Sequence, residues 1–271
     1  MMHASSRPLA GRRALVTRAG PRGEPLSQLL TAAGAEVVRL PTIEIRDPED
    51  WGPVDRAIGS LDGYHLVIFT SANAVERFLA RVEERGKEID ALAGNEVVAI
   101  GPATAKALRS RGVLVAAVPE EFRAEGALAE ARRLLASRTS GGPARVLLPR
   151  ALEGRDLLPE GLRAQGIEVD VVPVYRTLLP AGGAEQARAA LEGGVDLITF
   201  TSSATVRNFV QLLGAENLPG LVGTAAIGCI GPITAATARE AGLAVDLQPG
   251  EATLESLVQA AEDFFRLRAG A

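Results

Sequence analysis

The chain is poor in the residues from which reactive centres are most often built. Its 271 residues include one cysteine, Cys229, and two histidines, His3 and His65. A single cysteine excludes an intramolecular disulfide and any thiolate zinc or iron–sulfur centre. Two histidines, one of them in an amino-terminal tail of the kind that frays, leave no material for a His-based triad or a multi-histidine metal site. Lysine occurs only as Lys87, in a polar loop, and Lys106, in a helical run, which argues against Schiff-base chemistry. Aromatic residues make up 4% and the net charge is −4, with no basic tail and no arginine face interleaved with aromatics, so nucleic acid is excluded as the expected partner. No run of eighteen strongly apolar residues occurs. The uncharged stretch leading to Arg239 is rich in Gly, Ala and Thr and broken by Pro232, so neither a membrane span nor membrane association is expected. The amino terminus shows no apolar signal region, which makes a cytoplasmic location the expectation. Neither GxGxxG nor GxxxxGK[ST] is present, so dinucleotide and nucleoside triphosphate sites lack their fingerprints.

What the chain does contain is itself, twice. FTSANAVERF from Phe69 matches FTSSATVRNF from Phe200, and IGPATAKALRSRG from Ile100 matches IGPITAATAREAG from Ile230. RALVTRA from Arg13 runs parallel to RVLLPRA from Arg145, pairing Arg18 with Arg150. GAEVVRLP ending at Pro41 runs parallel to GIEVDVVP ending at Pro173. The matches keep their order, at an offset of 130 to 132 residues. A period that long is a duplicated domain rather than a solenoid. Residues 137–143 (SRTSGGP) form the linker between the copies in sequence.

Each copy alternates short β-rich runs with helical ones. Strands are expected at 14–17, 36–40, 66–69, 97–100 and 114–118, and again at 145–148, 168–172, 197–200, 226–230 and 244–247. These runs are continuously apolar, which marks strands covered on both faces and hence parallel sheets. Between them, Val75, Phe78, Leu79 and Val82 recur at helical spacing, as do Val206, Phe209, Val210 and Leu213. The fold class this predicts is α/β, with two flavodoxin-like, doubly wound parallel-sheet domains. Pro41 and Pro173 are expected to stop the second strand of each copy.

Ligands of doubly wound sheets sit beyond the carboxyl ends of the strands, and the repeated motifs fall there. Ser71 and Ala72 open a helix after the third strand of the first copy. Ser202, Ser203 and Ala204 do so in the second. Gly101 and Thr104, and Thr234 in the matching GPIT turn, follow the fourth strands. Glycine allows close backbone approach, proline suits a first helical turn, and the exposed N–H groups favour an anion. Arg18 and Arg150 end the first strands on the same edge, where each can pair with carboxylate or phosphate. Taken singly, every Ser or Thr here is explained as an ordinary helix cap. As a set, the turns and arginines predict an anionic ligand. Tyr175 breaks the repeat, since its counterpart is Ile43. Its phenol either packs or faces a cleft, where it can donate a proton or a hydrogen bond. Tyr64 is expected to pack at a strand mouth, Trp51 to anchor a loop, and Cys229 to be buried.

Taken in order, VTR, FTSxxxV, IGxxTAxAL, LLPR, VPVYRT, FTSSxxV and IGPxTAxxAxxxG resemble the uroporphyrinogen-III synthase family over nearly the whole chain. That resemblance implies two domains joined by a two-stranded crossover, with the first βαβ piece of each copy exchanged. One domain is then 1–41 plus 176–271 and the other 44–173, with crossing segments at 41–45 and 173–177. It implies conversion of hydroxymethylbilane, a linear tetrapyrrole with eight carboxylates, to uroporphyrinogen III, with loss of water and inversion of the last ring through a spiro intermediate. The reaction belongs to porphyrin and heme biosynthesis and takes place in the cleft between the domains. It implies no metal and no organic cofactor, a monomer, and hydroxymethylbilane synthase as the upstream partner. By motif position it carries over Tyr175 as the catalytic group. Arg18, Ser71, Thr104, Ser202, Ser203 and Thr234 carry over as substrate-binding residues, beside Ala72, Gly101, Arg150 and Ala204 from the turns themselves. The rival from another class is a non-catalytic two-lobed sensor of a small anion.

Overall fold

The apolar runs form parallel strands and the periodic segments between them form helices. The computed structural model describes residues 7–18, 20–121, 123–136 and 142–269. His3 and most of the expected linker, 137–141, lie outside the described residues. The elements in chain order begin with β1 (Arg13–Val16), α1 (Glu24–Ala32) and β2 (Glu36–Arg39). Next come β3 (Glu44–Arg46), α2 (Gly52–Gly59), β4 (Leu66–Phe69), α3 (Ala72–Glu84), β5 (Glu96–Ala99), α4 (Pro102–Ser110) and α5 (Ala124–Leu135). These lead to β6 (Arg145–Ala151), α6 (Leu157–Arg163) and β7 (Glu168–Leu178). The chain continues through α7 (Gly183–Glu192), β8 (Leu197–Phe200), α8 (Ser203–Leu213) and α9 (Leu218–Val222), and ends with β9 (Ala226–Cys229), α10 (Pro232–Glu240) and α11 (Leu254–Ala269).

The chain divides into two compact units. The first comprises Met1–Glu44 and Leu178–Ala271, the second Ile45–Thr177. The first unit's sheet has the order β2-β1-β8-β9, and the second's β3-β7-β6-β4-β5. Ala14 pairs with Leu197 and Leu66 with Val146, both in parallel register. The first strand of each sequence copy therefore lies beside the third strand of the other copy.

Two apolar layers clothe each sheet, as continuously apolar strands require. On β4, Val67 and Phe69 enter one core cluster with Val75 and Phe78, while Leu66 and Ile68 enter another with Ala127 and Leu162. On β8, Ile198 and Phe200 join Val206 and Phe209, while Leu197 joins Leu26 and Leu257. The two phenylalanines that bracket each FTS motif meet edge to face, Phe69 on Phe78 at 5.7 Å and Phe200 on Phe209 at 5.4 Å between centroids. Each such pair contributes about 1 kcal/mol beyond the area it buries. It also ties the helix to the strand that precedes it.

Two local expectations are corrected. The fifth strands, expected at 114–118 and 244–247, shrink to single parallel bridges, Val98 to Ala117 and Gly228 to Leu247. They lie at sheet edges, where one neighbour supplies all the pairing. Pro173 does not stop a strand: β7 continues through it to Leu178. Glu168 donates its N–H to Ala144, so alternate residues of β7 from Glu168 face β6, and the missing N–H of Pro173 lies on the other side. Pro41, in contrast, follows a strand that does end, at Arg39.

Candidate functional site

At the carboxyl edge of each sheet, two helices begin directly after two strands. In the second unit, Ser71 ends the turn after β4 and caps α3, its Oγ accepting the Ala74 N–H at 3.1 Å. In the first, Ser202 caps α8 by accepting the Thr205 N–H at 3.3 Å. Gly101 and Gly231 immediately precede Pro102 and Pro232, which open α4 and α10 with no side-chain cap. The first N–H groups of those helices are left for solvent or an anion. Their backbones differ. Gly101 sits at φ +95°, where only glycine is comfortable, whereas Gly231 is extended at φ −171°.

The other turn residues divide by what they already bond. Thr104 is buried and donates to the Ile100 carbonyl at 3.1 Å, which anchors α4 to the end of β5. Thr234 is buried at the matching place in α10. Ser203 accepts from the Thr237 hydroxyl at 2.7 Å, while Ala72 lies in the first turn of α3 and the exposed Ala204 in that of α8.

Arg18 and Arg150 stand beside the point where the sheet order reverses, β1 next to β8 and β6 next to β4. Arg18 donates to Thr201 Oγ1 at 3.2 Å. Arg150 turns the other way. Its guanidinium bonds the Arg155 carbonyl and Asp156 Oδ1, the latter at 2.6 Å, and its side chain is 11% exposed. Its Nε is buried with no partner among the described residues. Gly154 makes this possible, because a Cβ there would stand 2.8 Å from Arg150 Cδ. Arg150, expected to meet an external anion, is thus already paired with Asp156 and braces the loop between β6 and α6.

Tyr175 packs, and its hydroxyl has a partner within the second unit. Its ring is 7% exposed and belongs to the second unit's core, while its hydroxyl lies 3.1 Å from Ser71 Oγ. A register shift between Arg150 and Ala151 places it, and its carbonyl accepts the Leu152 N–H at 2.9 Å.

The remaining rare residues are structural. His65 lies at the opposite, amino-end edge, where Nδ1 accepts the Arg145 backbone N–H at 3.0 Å. Tyr64 is buried there and donates to Asp170 at 2.6 Å. Burial first, and then Asp170, push its phenol up to about 12. Trp51 lies beneath the Arg81 guanidinium, which makes two 2.7 Å bonds to Asp55 and holds that carboxyl below its ordinary range. Cys229 is fully buried, and burial pushes its thiol up to about 11. Among the described residues no cluster of three His, Cys, Asp or Glu side chains is arranged to hold a metal ion, and no helix is long and apolar enough to cross a membrane.

Two arginines at this edge were not among the expected site residues. Arg123 precedes α5, and Arg155 lies in the loop that Arg150 braces. Neither belongs to a repeated motif, and that departure from the repeat was the available signal.

A family model described as "Uroporphyrinogen-III synthase HemD" matches residues 24–259. The chain is 35% identical over 268 residues to the uroporphyrinogen-III synthase of Synechococcus elongatus, covering 97% of this chain and 98% of that one. It is 34% identical over 252 residues to a putative uroporphyrinogen-III synthase of Methanothermobacter thermautotrophicus, covering 90% and 95%. In fold it is similar to a mutant uroporphyrinogen III synthase of Thermus thermophilus, with TM-score 0.64 at 20% identity, covering 95% of this chain and all of that one. It is likewise similar to the uroporphyrinogen-III synthetase of Helicobacter pylori, with TM-score 0.59 at 19% identity, covering 93% and 98%.

Proposed function

The chain belongs to the uroporphyrinogen-III synthase family, and from that premise we propose how its own residues act on hydroxymethylbilane. As a member it is a lyase of porphyrin biosynthesis that cyclises this linear tetrapyrrole. The observation that carries the mechanistic reading is the Tyr175 hydroxyl set 3.1 Å from Ser71 Oγ at the carboxyl edge of the second sheet. There a phenol, held by a helix-capping serine, stands among uncapped helix N-termini that favour the acid side chains of the substrate.

Tyr175 gives its proton to the departing terminal hydroxyl, which leaves as water, and the chain of pyrroles becomes an azafulvenium cation. The substituted carbon of the far ring attacks to form a spiro-pyrrolenine. One bond of the spiro centre breaks and the ring closes again through its unsubstituted carbon. That carbon then loses its hydrogen as a proton, which restores the phenol. No strong base is needed, because each ring-forming step is an attack by an electron-rich pyrrole. The unaided substrate closes to the type I isomer, so the protein's main task is to hold the two ends where spiro closure wins. Ser71, Ala72, Gly101 and Thr104 in the second unit, and Arg18, Ser202, Ser203, Ala204 and Thr234 in the first, supply the edges that position the acid groups. Arg150 contributes through the loop it braces. The same reading takes the two units as products of a duplication, each with a flavodoxin-like sheet, and the enzyme as a cytoplasmic monomer.

The test is an isomer assay. Hydroxymethylbilane is generated in situ, the protein is added, and the oxidised products are separated by chromatography. Protein-dependent type III uroporphyrin is expected. Only type I, formed at the uncatalysed rate in the presence of folded protein, overturns the assignment in favour of a binding module.

A further inference from the structure

A cavity of about 520 Å³ opens at the carboxyl edge of the second sheet and is lined by residues of that unit alone. Thr70 from the end of β4 and Arg150 from the end of β6 flank it, so it lies at the reversal of strand order, where doubly wound sheets take their ligands. One wall is apolar. Leu157, which is 52% exposed, and the partly buried Ile100 contribute to it, over the fully buried Leu148. The rim is basic. Arg123 and Arg155 line it as exposed residues that make no ion pair among the described residues, and Glu125 is the one acid among its lining residues. The first turn of α5 beside Arg123 has no side-chain cap. Below it, Arg150 keeps a buried, unpartnered Nε.

The first unit provides an internal control. At the repeat offset, Thr253 stands for Arg123 and Gly23 for Arg155. Thr253 caps α11 in the ordinary way, accepting the Ser256 N–H at 3.1 Å. The corresponding helix in the first unit therefore starts without an arginine. Two exposed cations that make no ion pair among the described residues, set over an apolar wall, suit a ligand that is flat and apolar at its centre and acidic at its edge.

We propose that this cavity is a carboxylate subsite, which seats one pyrrole ring of the substrate against Leu157 and Ile100 and engages that ring's acid side chains with Arg123 and Arg155. The proposal rests on the assignment of an acid-bearing tetrapyrrole as substrate. It goes beyond that assignment in naming which surface grips one of the rings.

The test compares the wild type with R123Q, R155Q and the double variant, and uses R188Q, on the exposed face of α7, as a control for loss of charge alone. Two readings are taken: KM and kcat on hydroxymethylbilane, and the affinity for uroporphyrin, an octacarboxylate that needs no turnover, by calorimetric titration. The double variant is expected to raise KM and to weaken uroporphyrin binding by about tenfold each, with kcat within about twofold, as loss of two charge-assisted contacts implies. Each single variant is expected to fall between, and R188Q to match the wild type. KM and uroporphyrin affinity that stay within about twofold of wild type in the double variant, with type III product still formed, overturn the subsite and leave the synthase assignment standing. A wild type that makes no type III product but loses uroporphyrin affinity in the double variant overturns that assignment and keeps the subsite. Absence of both activity and binding in the wild type overturns both.

Discussion

Arg18 and Arg150 occupy matched positions in two sheets that share a four-strand order, β2-β1-β8-β9 and β7-β6-β4-β5, yet they face different partners. In the first unit Arg18 reaches the threonine at the end of the adjacent strand, Thr201. In the second unit that threonine is Thr70, and Arg150 leaves it for Asp156 and the Arg155 carbonyl. The difference traces to the loops. Gly154 lets the loop between β6 and α6 fold down on the Arg150 side chain, whereas Gly23 lets the chain approach the Arg18 carbonyl, 2.5 Å from where a Cβ would stand. Both units thus use a close-approach glycine, one for a side chain and the other for backbone. As a result the second unit projects Arg155 from a braced loop, and the first holds its arginine within the strand ends. Matched sequence motifs fix the scaffold, and the unmatched residues between them decide what the edge can bind.

The largest effect expected from breaking this comparison is at Arg150. Arg150→Ala removes two charge-assisted bonds from a nearly buried side chain and should cost about 2 kcal/mol, against under about 1 for Arg18→Ala, read from urea midpoints. Equal losses would show that the brace carries no stability. Next comes activity. Tyr175→Phe should lower kcat about tenfold with little change in stability, and Ser71→Ala should lower it less. Ser202→Ala, which disturbs a matched cap without a tyrosine partner, should affect kcat least, and steady-state kinetics of the three variants side by side would reveal any other order. The paired glycines come third. Gly101→Ala forces a side chain into a left-handed backbone and should cost about 1–2 kcal/mol, measured by thermal melting. Gly231→Ala, with extended backbone and a 3.3 Å approach to the Ala252 Cβ, should cost less than that.

The smallest effects appear only at alkaline pH. Each unit buries one weak acid whose folded value is raised, Tyr64 to about 12 and Cys229 to about 11, both chiefly by burial. A raised value means that the fold favours the protonated form. That contribution is complete below the ordinary values of 10.0 and 9.0 and is lost as pH climbs through about 12 and about 11. Ultraviolet titration of the native protein should therefore show a phenol ionising near 12 that is absent from Tyr64→Phe. Cys229 should resist thiol reagents at pH 8 until the protein unfolds.

Much of this was legible in the chain because it repeats. The FTS motifs announced strand, cap and helix together. Phe69 and Phe78, like Phe200 and Phe209, are the two ends of one local packing unit, and local packing is written in local spacing. Apolar runs at β4 and β8 predicted two-faced burial, and each run divides between two core clusters. Less legible were the edges. The runs at 114–118 and 244–247 have strand composition but pair through one bridge each, because strand formation at an edge depends on what the neighbour offers. Pro173 read as a stop, whereas the direction of its missing N–H depends on which side β6 lies, and no local pattern records that.

The sequence by itself determined the parallel α/β architecture, the two repeated sets of turns, and the shortage of histidine, cysteine and lysine that leaves arginines, carboxylates, hydroxyls and backbone as the groups expected to act. Each follows from composition or short-range periodicity, which act before the chain is assembled. The exchange that sets β1 beside β8 and β6 beside β4 was implied only by the family resemblance, and tertiary structure alone decided that Tyr175 reaches Ser71 from 104 residues away and that Arg150 pairs with Asp156 while Arg123 and Arg155 make no ion pair among the described residues. The physical reason is the range of the interactions. Caps, helical faces and aromatic pairs act within a turn or two of chain, whereas a hydrogen bond between distant side chains exists only after burial of the two core layers has set which strands are neighbours.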